Sequence, residues 1–250
     1  MIREIKKQAR LILSKNYKLF LLPTIMYVFS NFISPSSLYS FFYGDNLFCK
    51  SLFLCLSLAF QLFVLPIAIF FLYKTSVGVV NQDIEERKTF CLSVTIKDLG
   101  IITLIWIVPN ILGFVSGMLD GVVEYQQLSQ NITLPISLCN LFVMTFLIYL
   151  EYKYFACDYY YSLNKGTIME TLQFSFGTMK GRFFKYLLLT LSFIPWYLFG
   201  AVLSLIFTKL FGEIVFIKFA LHSIGCGVYF YLLPYQYITY TLFIKNISKK

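Results

Sequence analysis

The amino-acid sequence predicts an all-α integral membrane protein with six transmembrane helices and both termini in the cytoplasm. Hydrophobic residues make up 58% of the 250-residue chain and charged residues 13%, whereas a soluble domain has about 25% charged residues. Apolar stretches of about 20 residues, the length that crosses a bilayer as a helix, recur along the chain. The 21 basic residues outnumber the 12 acidic ones and lie mostly on one side of these stretches. This composition excludes a water-soluble fold.

Six charge-poor stretches are predicted to span the membrane. None of them alternates with a period of two, so we expect helices rather than strands of an outer-membrane barrel. The predicted spans are residues 19–41, 51–73, 99–119, 132–154, 186–208 and 215–244. Five prolines inside them are expected to bend the helices for packing: Pro23, Pro66, Pro109, Pro195 and Pro234.

The distribution of basic residues predicts the orientation. With six spans, the side of the membrane that holds both termini carries 18 of the 21 Lys and Arg residues, and the other side carries Lys50, Lys209 and Lys218. By the positive-inside rule, both termini are cytoplasmic.

Residues 2–15 are predicted to form a basic amphipathic helix before the first span, ending at a break at Asn16. One face would carry Ile2, Ile5, Ala9 and Ile12, and the opposite face Arg3, Lys7, Arg10 and Ser14. Such a helix is expected to lie in the inner interface, with its cations attracted to anionic lipid. The chain offers no basic domain for nucleic acid.

Residues 167–180 are predicted to form a second surface helix, before the fifth span. The turn 164–166 precedes it, and Thr167 and Glu170 have the spacing of a capping box. Another cytoplasmic segment, 82–97, is expected to end at a break at Gly100, and the surface helix at a break at Gly181. The three breaks suggest three helical hairpins of similar plan.

Ionisable residues near or inside the spans are the first candidates for function. Glu151 and Asp158 are interpreted as an interfacial charge cluster with Lys153. Lys218 is expected to reach the outer interface, and His222 to be a packed or hydrogen-bonded histidine.

The sequence predicts no catalytic residue, cofactor or metal site. It contains no phosphate-binding glycine loop, metalloprotease motif or nucleophile elbow, and its six cysteines form no C-x-x-C pair. A tyrosine group at the inner end of the fourth span is interpreted as an interfacial belt rather than a ligand-stacking site: Tyr152, Tyr154, Tyr159, Tyr160 and Tyr161.

Three strings carry a family resemblance: Ser175 to Gly181, Leu191 to Trp196, and Leu233-Pro234-Tyr235, together with an N-terminal start at residues 5–9. With these strings the chain resembles a bacterial family of multi-pass membrane proteins, catalogued as domain of unknown function nine-seven-five. The candidate motif or interface residues are Ser175, Met179, Lys180, Gly181, Ser192, Trp196, Pro234 and Tyr235. The chain departs from the family pattern at Thr190, Asn110 and 243–244. The resemblance implies a location in the bacterial cytoplasmic membrane and no established catalytic residues.

These motif residues also have an interpretation without the family. Gly181 would allow a sharp turn, Lys180 would contact lipid phosphates, and Trp196 would lie inside the fifth span.

The leading functional hypothesis is a non-enzymatic membrane protein that binds a lipid, a peptide or another membrane protein. Its first partner would be the anionic inner leaflet. The alternative is a transporter or the membrane subunit of an ATP-driven exporter, in which 82–97 and 167–180 would contact an ATPase subunit. A lipid-modifying enzyme is the third hypothesis, and it needs paired polar groups at one membrane depth.

Overall fold

The computed structural model describes residues 1–32, 60–81, 90–91, 93–125, 130–211 and 215–248. Over these ranges the chain is helical and has no β-strand, which confirms the all-α prediction. A π-helical segment covers Phe60–Val64. The α-helices of the described ranges are α1 (Ile2–Phe32), α2 (Leu65–Asn81), α3 (Ile96–Tyr125), α4 (Gln130–Tyr154), α5 (Cys157–Asn164), α6 (Ile168–Met179), α7 (Phe183–Leu191), α8 (Ile194–Phe211) and α9 (Val215–Ser248).

The helices belong to two compact units that alternate along the chain. The terminal unit comprises Met1–Asn31, Ala68–Val94 and Gly181–Lys250. The central unit comprises Phe32–Ile67 and Thr95–Lys180. Each unit therefore joins segments that are far apart in the sequence.

In the terminal unit, α1 is one continuous helix of 31 residues. The predicted break at Asn16 is wrong, because the side-chain amide of Asn16 donates to the Ile12 carbonyl at 2.9 Å and remains within the helix. The amphipathic pattern of residues 2–15 is confirmed, but its apolar face is buried in the protein instead of remaining free for lipid. The buried hydrophobic residues of α1 are Ile5, Ala9, Leu13, Phe20 and Val28.

The C-terminal halves of α2 and α9 form the most buried part of the terminal unit. Tyr73 of α2 meets Tyr237 of α9 edge to face, with ring centroids 4.9 Å apart. On α9, the amide of Gln236 accepts from the Tyr197 hydroxyl and donates to Tyr240. This interior is polar as well as aromatic, since the side chain of Lys74 is 1% exposed.

The fifth predicted span, 186–208, is not one helix. α7 ends at Leu191 and α8 begins at Ile194, with a turn at Ser192 and Phe193. The expectation of a proline kink inside a continuous span is therefore wrong. Pro195 lies in the first turn of α8, where its missing N–H leaves no helical hydrogen bond unmade.

In the central unit, α3 begins earlier than the sequence predicted. The Asp98 carboxylate accepts from the Thr95 N–H at 2.9 Å, and the Thr95 hydroxyl accepts from the Asp98 N–H at 3.2 Å. This reciprocal cap starts the helix at Ile96, and α3 continues through Gly100. The predicted break at Gly100 is wrong.

Three other boundaries in the central unit agree with the sequence, whereas α3 continues to Tyr125, beyond the predicted span end at residue 119. α4 ends at Tyr154, the predicted end of the fourth span. Lys165 has a left-handed φ of 48° in the predicted turn, and Thr167 and Glu170 form the predicted capping box of α6. The surface helix 167–180 is confirmed as α6 with its two caps.

Four helical stretches of the described residues are long and apolar enough to cross a membrane: Leu62–Asn81, Ile96–Gly113, Leu134–Asn164 and Phe183–Val202. They overlap the predicted spans 51–73, 99–119, 132–154 and 186–208. The predicted spans 19–41 and 215–244 are not among the four, and residues 33–41 and 51–59 lie outside the described ranges. These four stretches indicate association with a membrane.

Candidate binding site

Motif residues from distant parts of the chain meet in the terminal unit. The ammonium of Lys6 donates to the Ser192 carbonyl at 2.9 Å and lies 4.3 Å from the centre of the Phe193 ring. Ser192 ends α7, where helix carbonyls lack partners and carry partial negative charge. Burial, and then the charge of Arg10, lowers the pKa of Lys6 below its usual value. Lys6 therefore joins α1 to the turn between α7 and α8.

Tyr235 lies next to this contact. Its ring meets Phe193 edge to face at 5.7 Å and stacks with Tyr231 at 6.3 Å. The guanidinium of Arg10 lies 5.7 Å from the centre of the Tyr235 ring. The Tyr235 side chain is 2% exposed, yet its hydroxyl has no hydrogen-bond partner among the described residues. We refer to Lys6, Arg10, Phe193, Tyr231 and Tyr235 as the α1 site.

The outer face of α1 is basic and open. Arg3, Lys7 and Arg10 are exposed and follow one another at spacings of four and three residues, so they share a face. Among the described residues, none of them forms an ion pair with a carboxylate. The one acidic residue of α1, Glu4, pairs with the Met1 amino group at 3.2 Å. The α1 face therefore presents uncompensated positive charge.

The motif residues of the central unit form hydrogen bonds with backbone groups at a helix interruption. The Ser175 hydroxyl donates to the Lys153 carbonyl at 2.6 Å and accepts from the Ala156 N–H at 3.0 Å. The Tyr152 hydroxyl donates to the Met179 carbonyl. Ser175 and Met179 are fully buried; Ser175 attaches α6 to the turn between α4 and α5, and Met179 attaches it to the end of α4. Their role is to satisfy backbone groups where the helix is interrupted.

The other motif residues lie at turns and on the surface. Lys180 is exposed at the end of α6, and Gly181 has a φ of 70°, a conformation that favours glycine. Trp196 is 43% exposed on α8, and Pro234 is buried in α9.

The predicted charge cluster at the end of the fourth span does not form. Glu151 is exposed, whereas Asp158 is 1% exposed and accepts from the Trp106 indole N–H at 3.1 and 3.2 Å. The ammonium of Lys153 lies 5.6 to 5.8 Å from the centres of three aromatic rings, those of Tyr149, Tyr152 and Phe176. The prediction is wrong because α3 and α6 supply neutral aromatic partners at this level.

A second buried carboxylate was not predicted as a site. The Asp98 carboxylate, which also caps α3, accepts from the Tyr161 hydroxyl at 2.9 Å and from the Lys165 ammonium at 3.2 Å. Asp98 is 4% exposed. The Thr95-x-x-Asp98 spacing is a local signal for the cap, but no local pattern predicts partners 63 and 67 residues away.

Comparison with known proteins provides the family. The profile of a family described as "Protein of unknown function (DUF975)" matches residues 1–250. The chain belongs to the DUF975 family. No curated protein and no solved structure matches it.

In this DUF975 chain the motif divides between two kinds of position. Its first and last parts, around Lys6, Ser192 and Tyr235, meet at the α1 site. Its middle part, around Ser175 and Met179, fixes the turn between α4 and α5. Of these two parts, the one that lies beside the exposed basic face of α1 is the α1 site.

The tyrosines of the DUF975 chain do not form the predicted interfacial belt. Tyr152, Tyr159 and Tyr161 are buried in the central unit. Tyr154 packs between the rings of Trp106 and Phe176, and Tyr160 stacks on Phe174 at 4.5 Å. The prediction is wrong because α6 folds back over these rings.

Two predicted candidates cannot be placed, since the side chains of Lys218 and His222 lie outside the described part of the chain. Over the described residues, no group of three His, Cys, Asp or Glu side chains is arranged to hold a metal ion.

Proposed function

We propose that this DUF975 protein is a six-span protein of the bacterial cytoplasmic membrane that acts by binding anionic lipid of the inner leaflet, and not as an enzyme. Lipid, peptide and membrane-protein partners all agree with the sequence. The observation that favours lipid is the exposed α1 face, on which Arg3, Lys7 and Arg10 have no carboxylate partner in the part of the chain that the structure describes. Each basic residue near an anionic membrane surface contributes about 1 kcal/mol of attraction.

The proposed orientation has both termini in the cytoplasm. The support is the sequence asymmetry, since 18 of the 21 basic residues lie on the side of the termini. In a cysteine-free background, a membrane-impermeant maleimide should label a cysteine at position 50 in intact cells. It should label cysteines at positions 3 and 180 only after lysis. Labelling of position 3 in intact cells would show that the orientation is the reverse of the one proposed.

The non-enzymatic part of the proposal is supported by how polar groups are used. Ser175 is bonded to backbone groups on both sides of a turn, and Asp158 to an indole. Such groups serve packing rather than a reacting substrate.

Lipid binding is tested by neutralising the α1 face. Arg3→Gln with Lys7→Gln should weaken binding to phosphatidylglycerol nanodiscs about 30-fold, because two cations contribute about 2 kcal/mol. Binding to phosphatidylcholine should remain unchanged. The matched control, Arg3→Lys with Lys7→Arg, keeps the charge and should bind like the parent protein. Equal phosphatidylglycerol binding by the neutral pair would refute the proposal.

A second candidate function, the membrane subunit of an exporter or another transporter, is favoured by α6. Its outer face exposes Met169 and Phe176, with relative exposures of 65% and 40%. Apolar side chains on a short surface helix suit contact with an ATPase subunit. Met169→Asp with Phe176→Asp should then release a co-purifying ATPase while lipid binding stays intact. If the paired substitution leaves both an associated ATPase and transport unchanged, α6 is not the coupling helix.

A further inference from the structure

The Tyr235 hydroxyl is the starting point, because it is a buried donor without a described partner. A buried polar group without a hydrogen-bond partner is energetically unfavourable. The guanidinium of Arg10 lies close enough to interact with this hydroxyl, but the pair does not have the distance and angles of a formed hydrogen bond. Arginine has donors and no acceptor, so it cannot accept the tyrosine proton.

A ligand that satisfies both groups must supply oxygen acceptors and negative charge. Phosphate fits this requirement, since its oxygens accept from a guanidinium in a bidentate manner and from a hydroxyl at the same time. Arg10 is exposed and has a flexible side chain. Rotation of that side chain would admit a phosphate oxygen between the guanidinium and the Tyr235 hydroxyl.

Apolar surface borders the two donors. Leu11, which follows Arg10 on α1, is 58% exposed, and Tyr231, one turn before Tyr235 on α9, is 51% exposed. Free phosphate or an acidic peptide would leave these side chains in water, whereas a phospholipid covers them with its glycerol and acyl chains. We infer that Arg10 and Tyr235 bind the phosphate group of an anionic phospholipid in the inner leaflet. This inference rests on the proposed function and names its site.

The depth of Arg10 and Tyr235 relative to the hydrocarbon boundary can be estimated from the predicted span ends. The predicted span start at Leu19 places Arg10 about 14 Å outside the hydrocarbon, and the predicted span end at Ile244 places Tyr235 about 14 Å inside it. Because Arg10 and Tyr235 are neighbours, these two boundaries cannot mark the same membrane surface.

A common boundary near Lys15 and Tyr231 removes the conflict. Val215–Tyr231 is then just long enough to span, at the lower limit of about 17 residues. The exposed rings of Tyr231 and Trp196 match the aromatic residues found at membrane interfaces. Arg10 then lies about 7 Å beyond the hydrocarbon, in the layer of lipid phosphates.

The experiment measures binding of short-chain phosphatidylglycerol to the full-length protein in a neutral detergent by calorimetry. Tyr235→Phe removes the hydroxyl and keeps the ring, and it should weaken binding about tenfold. Arg10→Gln should weaken it at least as much. The control Lys7→Gln removes one charge from the same exposed face, away from Tyr235, and should weaken binding less than fivefold.

Thermal unfolding separates a ligand contact from a structural one. Without anionic lipid, Tyr235→Phe should unfold at the same or a higher temperature than the parent protein, because it removes an unsatisfied buried group. With saturating phosphatidylglycerol, the variant should gain less stability than the parent protein. A lower unfolding temperature in both conditions would identify a purely structural hydroxyl and overturn the inference.

The remaining outcomes separate the inference from the proposed function. If Tyr235→Phe and Arg10→Gln weaken phosphatidylglycerol binding no more than Lys7→Gln does, the site is wrong and lipid binding stands. If phosphatidylglycerol binds no better than phosphatidylcholine, the inferred phosphate site and the proposed lipid-binding function are both wrong. If glycerol phosphate binds as tightly as phosphatidylglycerol, the ligand is a soluble phosphate and not a lipid.

Discussion

The terminal and central units stabilise their charged residues in opposite ways. The terminal unit contains 16 of the 21 basic residues and five of the 12 acidic ones, whereas the central unit contains five and seven. In the terminal unit, three ammonium groups donate to backbone carbonyls: Lys6 to Ser192, Lys74 to Ser93 and Lys245 to Val80. In the central unit, the buried carboxylates Asp98 and Asp158 accept from side chains that lie outside their own helices.

The difference lies in the groups that stabilise the charged side chains. Ser192 and Val80 lie at the ends of α7 and α2, and carbonyls at helix ends carry partial negative charge. Such a carbonyl stabilises the Lys6 ammonium, and the terminal unit has an excess of basic over acidic residues, 16 against five. The central unit uses its buried carboxylates internally. Ligand binding is therefore expected in the terminal unit and structural stabilisation in the central one.

The largest effect is expected at the acidic centre of the central unit. Asp98→Ala removes the acceptor of Tyr161 and Lys165 and the cap of α3, and should lower the free energy of unfolding by about 3 kcal/mol. Unfolding of the detergent-solubilised protein by dodecyl sulfate measures this change. Asp98→Asn keeps an acceptor and should lose about half as much. Glu151→Ala, at an exposed carboxylate, should change stability by less than about 0.5 kcal/mol.

If Asp98→Ala is no more harmful than Glu151→Ala, the central unit is not organised around its buried carboxylates. The proposed difference in how the two units stabilise their charged residues would then be wrong.

A smaller loss is expected at the turn between α4 and α5. Ser175→Ala leaves the Lys153 carbonyl and the buried Ala156 N–H without their shared partner, and should cost about 2 kcal/mol. The same unfolding measurement applies. Ser14→Ala removes an exposed hydroxyl that bonds within its own helix, and should have little effect. Equal losses in the two variants would show that α6 does not depend on Ser175.

Local sequence signals predicted a large part of this fold. The end of α4, the turn at Lys165 and the Thr167 capping box follow from short spacings and from apolar length. The equivalent box at Thr95 and Asp98 has the same spacing, but Gly100 was interpreted as a helix break. A glycine in a helix costs about 1 kcal/mol, which a cap offsets.

The candidate site depends on contacts that no local pattern contains. Lys6 and Ser192 are 186 residues apart, and the basic face of α1 predicts attraction to lipid but not the neighbouring Tyr235. The buried tyrosines were mistaken for a belt because composition cannot show that α6 covers them. The sequence therefore predicted the positive charge of the site, and the fold supplied its geometry.

In the terminal unit, a substitution at Lys6 measures the stability contributed by a lysine that donates to a helix-end carbonyl. Lys6→Met keeps an apolar stem but removes the donor to Ser192 and the cation over Phe193, and should cost about 1.5 kcal/mol in the unfolding measurement. Lys7→Met, on the exposed face, should change stability by less than about 0.5 kcal/mol. A neutral effect of Lys6→Met would mean that helix-end carbonyls do not take the place of acidic residues in this unit.

The smallest expected effects come from two glycines, Gly177 in the central unit and Gly181 at the start of the terminal unit's last segment, and they have opposite signs. Gly181 has a φ of 70°, so Gly181→Ala should destabilise by about 1 kcal/mol although no atom obstructs the new methyl group. Gly177 is helical, with open space around it, so Gly177→Ala should stabilise α6 by about 0.5 to 1 kcal/mol. Dodecyl sulfate unfolding of both variants measures the difference. Destabilisation by both would mean that the outer face of α6 is covered, as the exporter hypothesis requires, whereas opposite signs would leave that face open.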